Sequence, residues 1–312
     1  MAIVADKRPV TQRLSPRAKI VRFIRKYGWS YVFVLPSMIT FTIFILVPVV
    51  WAFLISFQDY DFVWSGKWVG VQNYITAFKT QNGVFVQAIG HTLYYTFFTV
   101  IANILVALLL ATLIQHRGKF TKTFFRAAYY LPAVTSAVII AMIWRWIYNA
   151  DWGLANYLLS LVHIGAVRWL ADPDVVMNSI TLSTMLTVPA TGVVLYSAAM
   201  GGIPNDFYEA AELDGASALQ KWWYITVPLL KSTTLYLVVL YTIASFEVFE
   251  KIFIMVPSGV GNGAQVMVTQ IYQNGFQEFR YGVAAAQAFV LFVMIAAVAV
   301  VQFRLFRSDV EY

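Results

Sequence analysis

Long uncharged stretches restrict the possible folds of this chain more than any other feature. Residues 27–58, 80–116 and 175–205 contain no Asp, Glu, Lys or Arg. A helix needs about 20 apolar residues to cross the hydrocarbon core of a bilayer. Charged residues make up 12% of the chain, and this is about half the share that is usual in soluble domains. The sequence therefore predicts a polytopic membrane protein of the all-α class.

Six stretches are long and apolar enough to be transmembrane helices, and we number them as spans one to six. They are Tyr31–Phe57, Thr92–Ile114, Arg126–Tyr148, Asn178–Met200, Thr233–Val256 and Tyr281–Phe303. Together they predict one transmembrane domain at residues 29–308, between a basic segment at residues 1–28 and a tail at residues 309–312. No small-x-small cleavage pattern lies near span one, so we interpret it as a retained span rather than a signal peptide.

The charged residues sort the predicted loops into two sides of a membrane. Basic side chains are dense in the first 26 residues, at Lys7, Arg8, Arg13, Arg17, Lys19, Arg22, Arg25 and Lys26. They recur between spans two and three and after span six, at Arg117, Lys119, Lys122, Arg126, Arg304 and Arg307. The opposite loops hold Asp59, Asp61, Asp151, Asp172 and Asp174. The positive-inside rule then predicts a cell (inner or plasma) membrane protein with both termini cytoplasmic. A nucleic-acid-binding arm is the less favoured interpretation of the basic segment.

Several kinds of chemistry lack the residues that they need. The chain contains no cysteine, which excludes disulfides and thiol chemistry. It contains no G-x-x-x-x-G-K-[ST] phosphate loop. Its histidines, His91, His116 and His163, are scattered along the sequence, which does not predict a metal site. We therefore expect no catalytic residue in this chain, and no cofactor, nucleotide or metal bound to it.

A polar insert at residues 203–230 separates spans four and five, and on the predicted topology it is cytoplasmic. Asn205 or Asp206 can cap a first short helix. Gly215 can end that helix, because glycine accepts the backbone conformation that follows a helix terminus.

A second helix is predicted within the same insert. Ser217 can begin it, with Gln220 three residues later as the capping-box partner. Pro228 limits it before span five begins. The insert is therefore predicted to be a helix-turn-helix between two spans, a shape that a soluble partner could move.

The residues of this insert resemble the EAA signature of ABC-importer permeases. The spacing E-A-A-x-x-D-G-A-(x8)-I-x-x-P is kept in full by Glu209, Ala210, Ala211, Asp214, Gly215, Ala216, Ile225 and Pro228. Other residues resemble the carbohydrate branch of that family, of maltose and oligosaccharide type: Ile203, Pro204, Tyr208, Leu131, Pro132, Trp144, Arg145, Trp146, Gly153, Asn156, Trp169, Leu170, Asp172, Pro173, Ser245, Phe246 and Phe249. The similarity covers nearly everything after span one.

The resemblance implies a pathway subunit rather than an enzyme. It implies three kinds of partner: a second, similar permease in a heterodimer, two ATP-binding-cassette ATPase subunits that hold ATP and Mg, and an extracytoplasmic solute-binding protein. The ATPase-coupling residues that it implies are Glu209, Ala210, Ala211, Asp214, Gly215, Ile225 and Pro228. Small side chains let a partner approach closely, and acids can pair with basic residues on it. An amphipathic helix lying on lipid is the alternative, which the acids of the insert oppose.

Spans four and five contain the hydroxyl and aromatic side chains expected along a sugar pathway. Pro189 and Gly192 loosen the backbone of span four near the middle of the bilayer, where transport sites often lie. In maltose-type relatives these two spans hold the sugar. The candidates on the substrate path are Thr184, Thr187, Thr191, Tyr241, Ser245, Phe246 and Phe249. The alternative is that the hydroxyls only connect helix to helix.

Three charged residues, Glu247, Glu250 and Lys251, lie inside span five at the spacing i, i+3 and i+4. On a continuous helix they share one stripe, and Glu247 can pair with Lys251. Charged residues inside a span are costly and are functional by default. Glu247 and Glu250 either line the substrate path or belong to an ion pair that fixes helix packing. For Arg145, near the outer end of span three, we favour snorkelling to the interface.

Other functions fit the sequence less well. A permease for a glycerol phosphate should need several buried basic residues, and only Arg145 and Lys251 are available, so a neutral sugar or polyol is favoured. An ion-coupled secondary transporter using Glu247 and Glu250 would leave the polar insert unexplained. A membrane enzyme would need clustered His, Asp or Glu near an interface. The sequence predicts a permease subunit that imports a carbohydrate, coupled to ATP hydrolysis by a separate subunit.

Overall fold

The structure is a computed structural model that describes residues 16–60, 66–79, 83–115, 117–257 and 260–305. Several residues used in the sequence predictions lie outside this range: Lys7, Arg8, Arg13, Asp61, His116, Arg307 and the tail at 309–312. The chain divides into two compact units, Met1–Leu54 and Ile55–Tyr312, and each is described by itself.

The first unit is one long apolar helix with a local widening. It consists of α1 (Pro16–Phe41), a π-helical turn (Thr42–Leu46) and α2 (Val47–Ile55). Pro48 follows the turn. A proline lacks the N–H and its ring crowds the carbonyl four residues earlier, and a π turn relieves that crowding. Within Arg25–Ile55 the most apolar 18-residue stretch has a mean hydropathy of 2.6, and no residue of this helix from Arg25 onward is buried. This helix agrees with predicted span one, although it ends at Ile55 rather than Phe57.

The second unit contains the remaining elements. Its first half comprises β1 (Gln58–Asp59), β2 (Lys67–Trp68), α3 (Gln72–Lys79), α4 (Val84–Gln115), α5 (Lys119–Val134), α6 (Ala137–Ile147), α7 (Leu154–Leu161), α8 (Val176–Met185) and α9 (Ala190–Gly201). Its second half comprises α10 (Asp206–Leu213), α11 (Ala218–Lys221), a π turn (Trp222–Thr226), α12 (Val227–Leu229), α13 (Lys231–Phe246), α14 (Glu250–Met255), α15 (Met267–Tyr272), a π turn (Gln273–Gln277) and α16 (Tyr281–Leu305).

A short ribbon is the one departure from the predicted all-α class among the described residues. Strands β1 and β2 are antiparallel, with Gln58 opposite Trp68. The Asn73 side chain of α3 donates to the carbonyls of Ser56 and Gln58 at 3.0 and 2.7 Å. This buried amide fixes the ribbon against the first turn of α3.

Helix α4 organises the second unit and contacts α8, α9 and α13. Ala107 and Ala111 are fully buried and lie four residues apart, and so they share one face. Val193 and Tyr196 of α9 and Leu237 of α13 belong to the same core cluster. Small residues allow membrane helices to approach closely, which favours their association by van der Waals packing.

Three predicted spans are interrupted in the described part of the chain. Span three divides before α6, where Ser136 caps the helix by accepting a bond from the Val138 N–H. Span four divides at residues 186–189, because Pro189 lacks the N–H that would continue the helix. Span five divides at residues 247–249, between α13 and α14.

The described residues contain four helical segments that are long and apolar enough to cross a bilayer, namely Arg25–Ile55, Val84–Gln115, Val176–Gly201 (α8 and α9 taken together across their break) and Tyr281–Leu305. A fifth is counted if Ala218–Leu229 and Lys231–Phe246, which are bent by 64°, form one span. Ala137–Ile147, within predicted span three, is apolar but short. The multi-pass helical architecture is therefore confirmed, whereas the total of six spans stays a prediction.

Candidate functional site

The polar insert folds into a helix-turn-helix, and we call residues 206–229 the EAA hairpin. Its first helix, α10, is followed by Gly215 with φ of +78°. The Gly215 N–H donates to the Glu212 carbonyl at 3.0 Å, and the Ala216 N–H donates to the Ala211 carbonyl at 2.9 Å. These two bonds form a Schellman motif, which needs a left-handed residue after the helix. An L side chain is strained there, so the turn requires glycine.

Both helices of the insert begin where the sequence predicts, but only the second has the predicted cap: Asp206, the other predicted cap of the first helix, is already the first residue of α10. Ser217 Oγ accepts from the Gln220 N–H at 3.3 Å, and the Gln220 side chain accepts from the Ser217 N–H at 2.7 Å. This capping box is confirmed. Asn205 precedes α10 with φ −64° and ψ −27° and makes no side-chain cap bond. The predicted Asn205 cap is wrong because an N-cap side chain needs an extended backbone to reach the helix N–H groups.

Apart from the chain that leads in from α9, the hairpin is attached to the membrane helices at two places. Trp222 Nε1 donates to Thr112 Oγ1 of α4 at 3.0 Å. The Tyr208 hydroxyl lies 2.9 Å from Thr226 Oγ1 and so ties the two arms together. Beyond α12 the chain turns by 64° into α13, and Leu230 at this elbow is 1% exposed. The hairpin is therefore connected to α4 by a side chain and to α13 by the backbone.

A cavity of about 550 Å³ lies beneath the hairpin, between its two arms and the ends of α4 and α9. Glu212 and Lys221 form a salt bridge beside it. Gln115, at the end of α4, buries its Oε1 without a hydrogen-bond partner among the described residues. The hairpin is thus less tightly packed than a core helix.

The motif residues lie mainly on the outer surface of the hairpin. Exposed members are Glu209, Ala210, Asp214, Gly215 and Pro228, whereas Ala211 and Ile225 are half-buried. Leu213, which the sequence pattern did not single out, is 91% exposed, and Leu219 is 73% exposed. Exposed apolar patches commonly mark interaction surfaces. The sequence signal that could have identified Leu213 is its position directly before the Asp-Gly turn. The helix that ends there is too short to bury a leucine.

The breaks in spans four and five bring hydroxyls and a lysine together. Thr184 Oγ1 lies 3.0 Å from the Tyr95 hydroxyl and accepts from Lys251 Nζ at 2.7 Å. Thr187 Oγ1 accepts from Trp144 Nε1 at 3.0 Å. Both threonines therefore bond to other helices, and contact between them and a substrate stays a prediction.

Two further candidates on α13 also bond to neighbouring helices. The Tyr241 hydroxyl accepts from the Gly192 N–H at 2.9 Å. Ser245 Oγ is buried and lies 3.1 Å from Thr99 Oγ1 of α4. These contacts agree with the helix-packing alternative, because each hydroxyl already has a partner.

The other uncharged candidates occupy contrasting environments. Thr191 is exposed, and Phe246 is buried in the core with Phe85. The Phe249 ring stacks on Phe253 and is tilted against Tyr272, with centroid distances of 5.2 and 5.0 Å. Phe249 therefore belongs to an aromatic cluster rather than to the hydroxyl network.

The charged residues of span five do not form the predicted stripe. Glu247 caps the end of α13 and Glu250 begins α14, so the geometry of a continuous helix is lost. Both carboxylates are exposed, whereas Lys251 is half-buried and bonds to Thr184. The predicted Glu247–Lys251 pair is wrong, since neither salt bridge among the described residues involves span five.

Arg145 connects α6 to α14. Its side chain is exposed, and Nη1 donates to the Ile254 carbonyl at 3.2 Å. Nearby, Ala141 of α6 packs in one core cluster with Ile252 and Met255 of α14. The short helix after the break in span five is thus held by apolar contacts and a charged donor.

Comparisons with known proteins agree with this architecture. Residues 103–308 match the family described as Binding-protein-dependent transport system inner membrane component. The Arabinooligosaccharides transport system permease protein AraP of Bacillus subtilis is 30% identical over 290 residues, which cover 92% of this chain and 91% of that protein. The Trehalose/maltose transport system permease protein MalF of Thermococcus litoralis is 29% identical over 288 residues, 91% of this chain and 96% of that protein.

A solved structure gives the same fold. The crystal structure of a bacterial ABC transporter involved in the import of the acidic polysaccharide alginate has a TM-score of 0.82 and 25% identity, and the match covers 94% of this chain and all of that chain. The fold and the EAA hairpin thus define a multi-pass membrane permease. The chain belongs to the family of inner membrane components of binding-protein-dependent transport systems. The resemblance to ABC-importer permeases is confirmed.

Proposed function

We propose that this chain is the permease subunit of an ATP-driven importer that moves a carbohydrate, specifically an oligosaccharide, into the cell. The observation that carries the proposal is the EAA hairpin, whose turn is conformationally fixed and whose tip exposes Leu213. The names of the relatives support the substrate class, because they refer to arabinooligosaccharides and to trehalose and maltose.

The partners follow from this assignment. A second, similar permease forms the pathway together with this chain, two ATPase subunits lie on the cytoplasmic side, and a solute-binding protein delivers the sugar from outside. ATP and Mg²⁺ bind on the ATPase subunits. Both termini of this chain and its EAA hairpin are cytoplasmic, in agreement with the positive-inside rule.

Coupling depends on the surface of the hairpin. Leu213 enters an apolar cleft on an ATPase subunit, while Glu209 and Asp214 pair with basic residues around it. Ala210 and Gly215 are exposed and small, and so they allow close approach. As the ATPase subunits close, the hairpin moves with them.

The motion reaches the membrane through the two attachments of the hairpin. Trp222 pulls on Thr112 of α4, and the elbow at Leu230 turns α13. Helix α4 carries Tyr95 and Thr99, which bond to the broken halves of spans four and five. When α4 and α13 shift, the site between these spans therefore opens to the other side of the membrane. It behaves as a two-state element whose equilibrium is shifted by ligands on both sides.

Recognition of the sugar uses the polar groups at the breaks. The exposed carboxylates of Glu247 and Glu250 accept hydrogen bonds from sugar hydroxyls, and the Lys251 ammonium donates to them. Thr191 offers a further exposed hydroxyl.

A thiol cross-linking experiment tests the coupling role, since the chain has no native cysteine. Leu213→Cys in the complete transporter should cross-link to an ATPase subunit carrying a single cysteine at its cleft. Leu105→Cys on α4, which is also exposed, is the matched control and should not. Labelling of the introduced thiol at position 213 by a membrane-impermeant reagent from outside the cell would contradict the proposal.

A further inference from the structure

A second cavity, of about 380 Å³, lies between α14 and the segment that leads to α16. An aromatic row forms one wall. Phe249 stacks on Phe253 with a centroid distance of 5.2 Å and lies tilted against Tyr272 at 5.0 Å, and all three rings line the cavity. Phe276 stacks on Tyr272 at 5.3 Å and continues the row beside the cavity. The outer rings are open to contact, because Phe253 is 54% and Phe276 is 68% exposed.

Side-chain amides line the same cavity, at Gln265, Gln273 and Gln277. Gln265 Oε1 accepts from Thr269 Oγ1 at 2.8 Å, which orients that amide. Gln277 has no side-chain hydrogen-bond partner within the described part of the chain. An amide side chain has N–H donors and a carbonyl acceptor, so it can donate a hydrogen bond to a hydroxyl or accept one from it.

We propose that this cavity is a saccharide-binding subsite that holds a pyranose unit of the transported oligosaccharide outside the mid-membrane site. A pyranose ring has apolar C–H faces, which pack on aromatic rings, and hydroxyls around its edge, which bond to amides. The three lining rings, of Phe249, Phe253 and Tyr272, and the three glutamines supply these two kinds of contact together. The inference rests on the proposed function as a carbohydrate permease.

The position of the subsite suits a chain of several sugar units. Phe249 directly precedes the short helix α14, and Phe253 lies within it. The same helix carries Lys251 of the hydroxyl network. On the predicted topology, the loop between α14 and α16 faces the outside, from which the binding protein delivers sugar. A short saccharide fills the mid-membrane site alone, whereas a longer one also reaches the aromatic row.

An interfacial belt of aromatic residues explains the rings but not the amides. Belt residues turn their apolar faces toward lipid. The exposed amide of Gln277 would lose its hydration without compensation if lipid covered the cavity. A polar ligand with apolar faces satisfies both sets of side chains, and a saccharide is such a ligand.

The test uses the complete transporter with its binding protein in nanodiscs. Sugar-stimulated ATP hydrolysis is measured with arabino-, malto- and alginate oligosaccharides from the disaccharide to the heptasaccharide. In the double variant Phe253→Leu, Phe276→Leu, the KM for the longest active sugar should rise about tenfold, a factor that corresponds to about 1.4 kcal/mol of binding free energy. The KM for the shortest active sugar should stay unchanged. Phe292→Leu on α16, which is 59% exposed, is the matched control.

Two further variants keep the test decisive if the double variant assembles poorly. Gln277→Ala removes an exposed amide and should raise the KM for long sugars only. Phe276→Trp keeps an aromatic face and should behave as the wild type. If the double variant and Gln277→Ala both keep the wild-type KM at every sugar length, the subsite is overturned and the proposed function stays intact. A wild-type transporter that none of these sugars stimulates would instead overturn the proposed function, and the subsite with it.

Discussion

The EAA hairpin and the hydroxyl network at the broken spans are held together over very different distances along the chain. Within the hairpin, the Tyr208–Thr226 bond joins residues 18 positions apart. Across the network, the Thr99–Ser245 bond joins residues 146 positions apart. A local structure can be encoded in a short motif, whereas the network exists only after the helices have packed.

The same difference separates two functional roles. The hairpin exposes most of its motif residues, and the proposed function places them against a partner. The network is buried or half-buried, and the hydroxyls of Thr184, Thr187, Tyr241 and Ser245 each have a partner, whereas Thr191 is exposed. We therefore expect hairpin variants to change coupling without changing sugar affinity, and network variants to change affinity or stability without changing coupling.

The largest expected effect is at the turn of the hairpin. Gly215→Lys should reduce sugar uptake and sugar-stimulated ATP hydrolysis to background in reconstituted transporter. The side chain strains a left-handed residue by about 1–2 kcal/mol and places a positive charge at the docking surface. Gly90→Ala, where an added Cβ meets nothing within 4 Å, is the control and should behave as the wild type. Unchanged coupled uptake in Gly215→Lys would remove the distinction between the two regions.

The next largest effect is on stability, at the contact between α9 and α13. A Cβ added at Gly192 would lie 2.5 Å from the Tyr241 hydroxyl oxygen and 2.7 Å from Ala107 Cβ. Gly192→Ala should lower the free energy of unfolding by about 1–3 kcal/mol, as expected for overpacking. Thermal unfolding in detergent measures it. Adding Tyr241→Phe should recover part of the loss, and no recovery would show that the hydroxyl is not the obstacle.

Lys251→Met separates a substrate role from a packing role. A hydrogen bond from a charged donor contributes about 1.5–3 kcal/mol, so the KM for sugar should rise about tenfold or more. Stability should not fall, because a half-buried ammonium whose partner is neutral is costly to retain. Lys231→Met, at the exposed start of α13, is the control. A normal KM with a lower melting temperature would assign Lys251 to packing alone.

The smallest effect is expected at Ser245. Ser245→Ala should cost about 0.6 kcal/mol of stability, the average for a hydrogen bond between membrane helices. A double-mutant cycle with Thr99→Val should show that the cost comes from their mutual bond. Sugar KM should be unchanged. A several-fold rise in KM would move Ser245 from the packing interface to the substrate path.

The sequence predicted the hairpin well because its determinants are local. Gly215 and the Ser217–Gln220 capping box act within one turn of backbone. The prediction of an Asn205 cap was wrong because Asn205 already has helical dihedral angles. The residue type alone does not reveal this backbone conformation. Leu213 was missed because the motif gives spacing but not exposure.

The breaks in the spans were harder to predict. Pro189 marked the loosening of span four, but residues 247–249 contain neither proline nor glycine. Phe249 has φ −137° and ψ −63°, and its ring packs on Tyr272, a residue from a later helix. Such a break depends on tertiary contacts, so the regular spacing of charges favoured a continuous helix.

The elbow at Leu230 has a mechanical consequence. The arm that leads into it and the helix that leaves it differ in direction by 64°. Leu230 itself is 1% exposed and packs with Tyr196 and Leu237, so it cannot slide when the hairpin is displaced. If the hairpin moves as proposed, a pull along the arm is redirected at Leu230 and swings α13 sideways, so that the end of α13 next to Glu247 moves farthest.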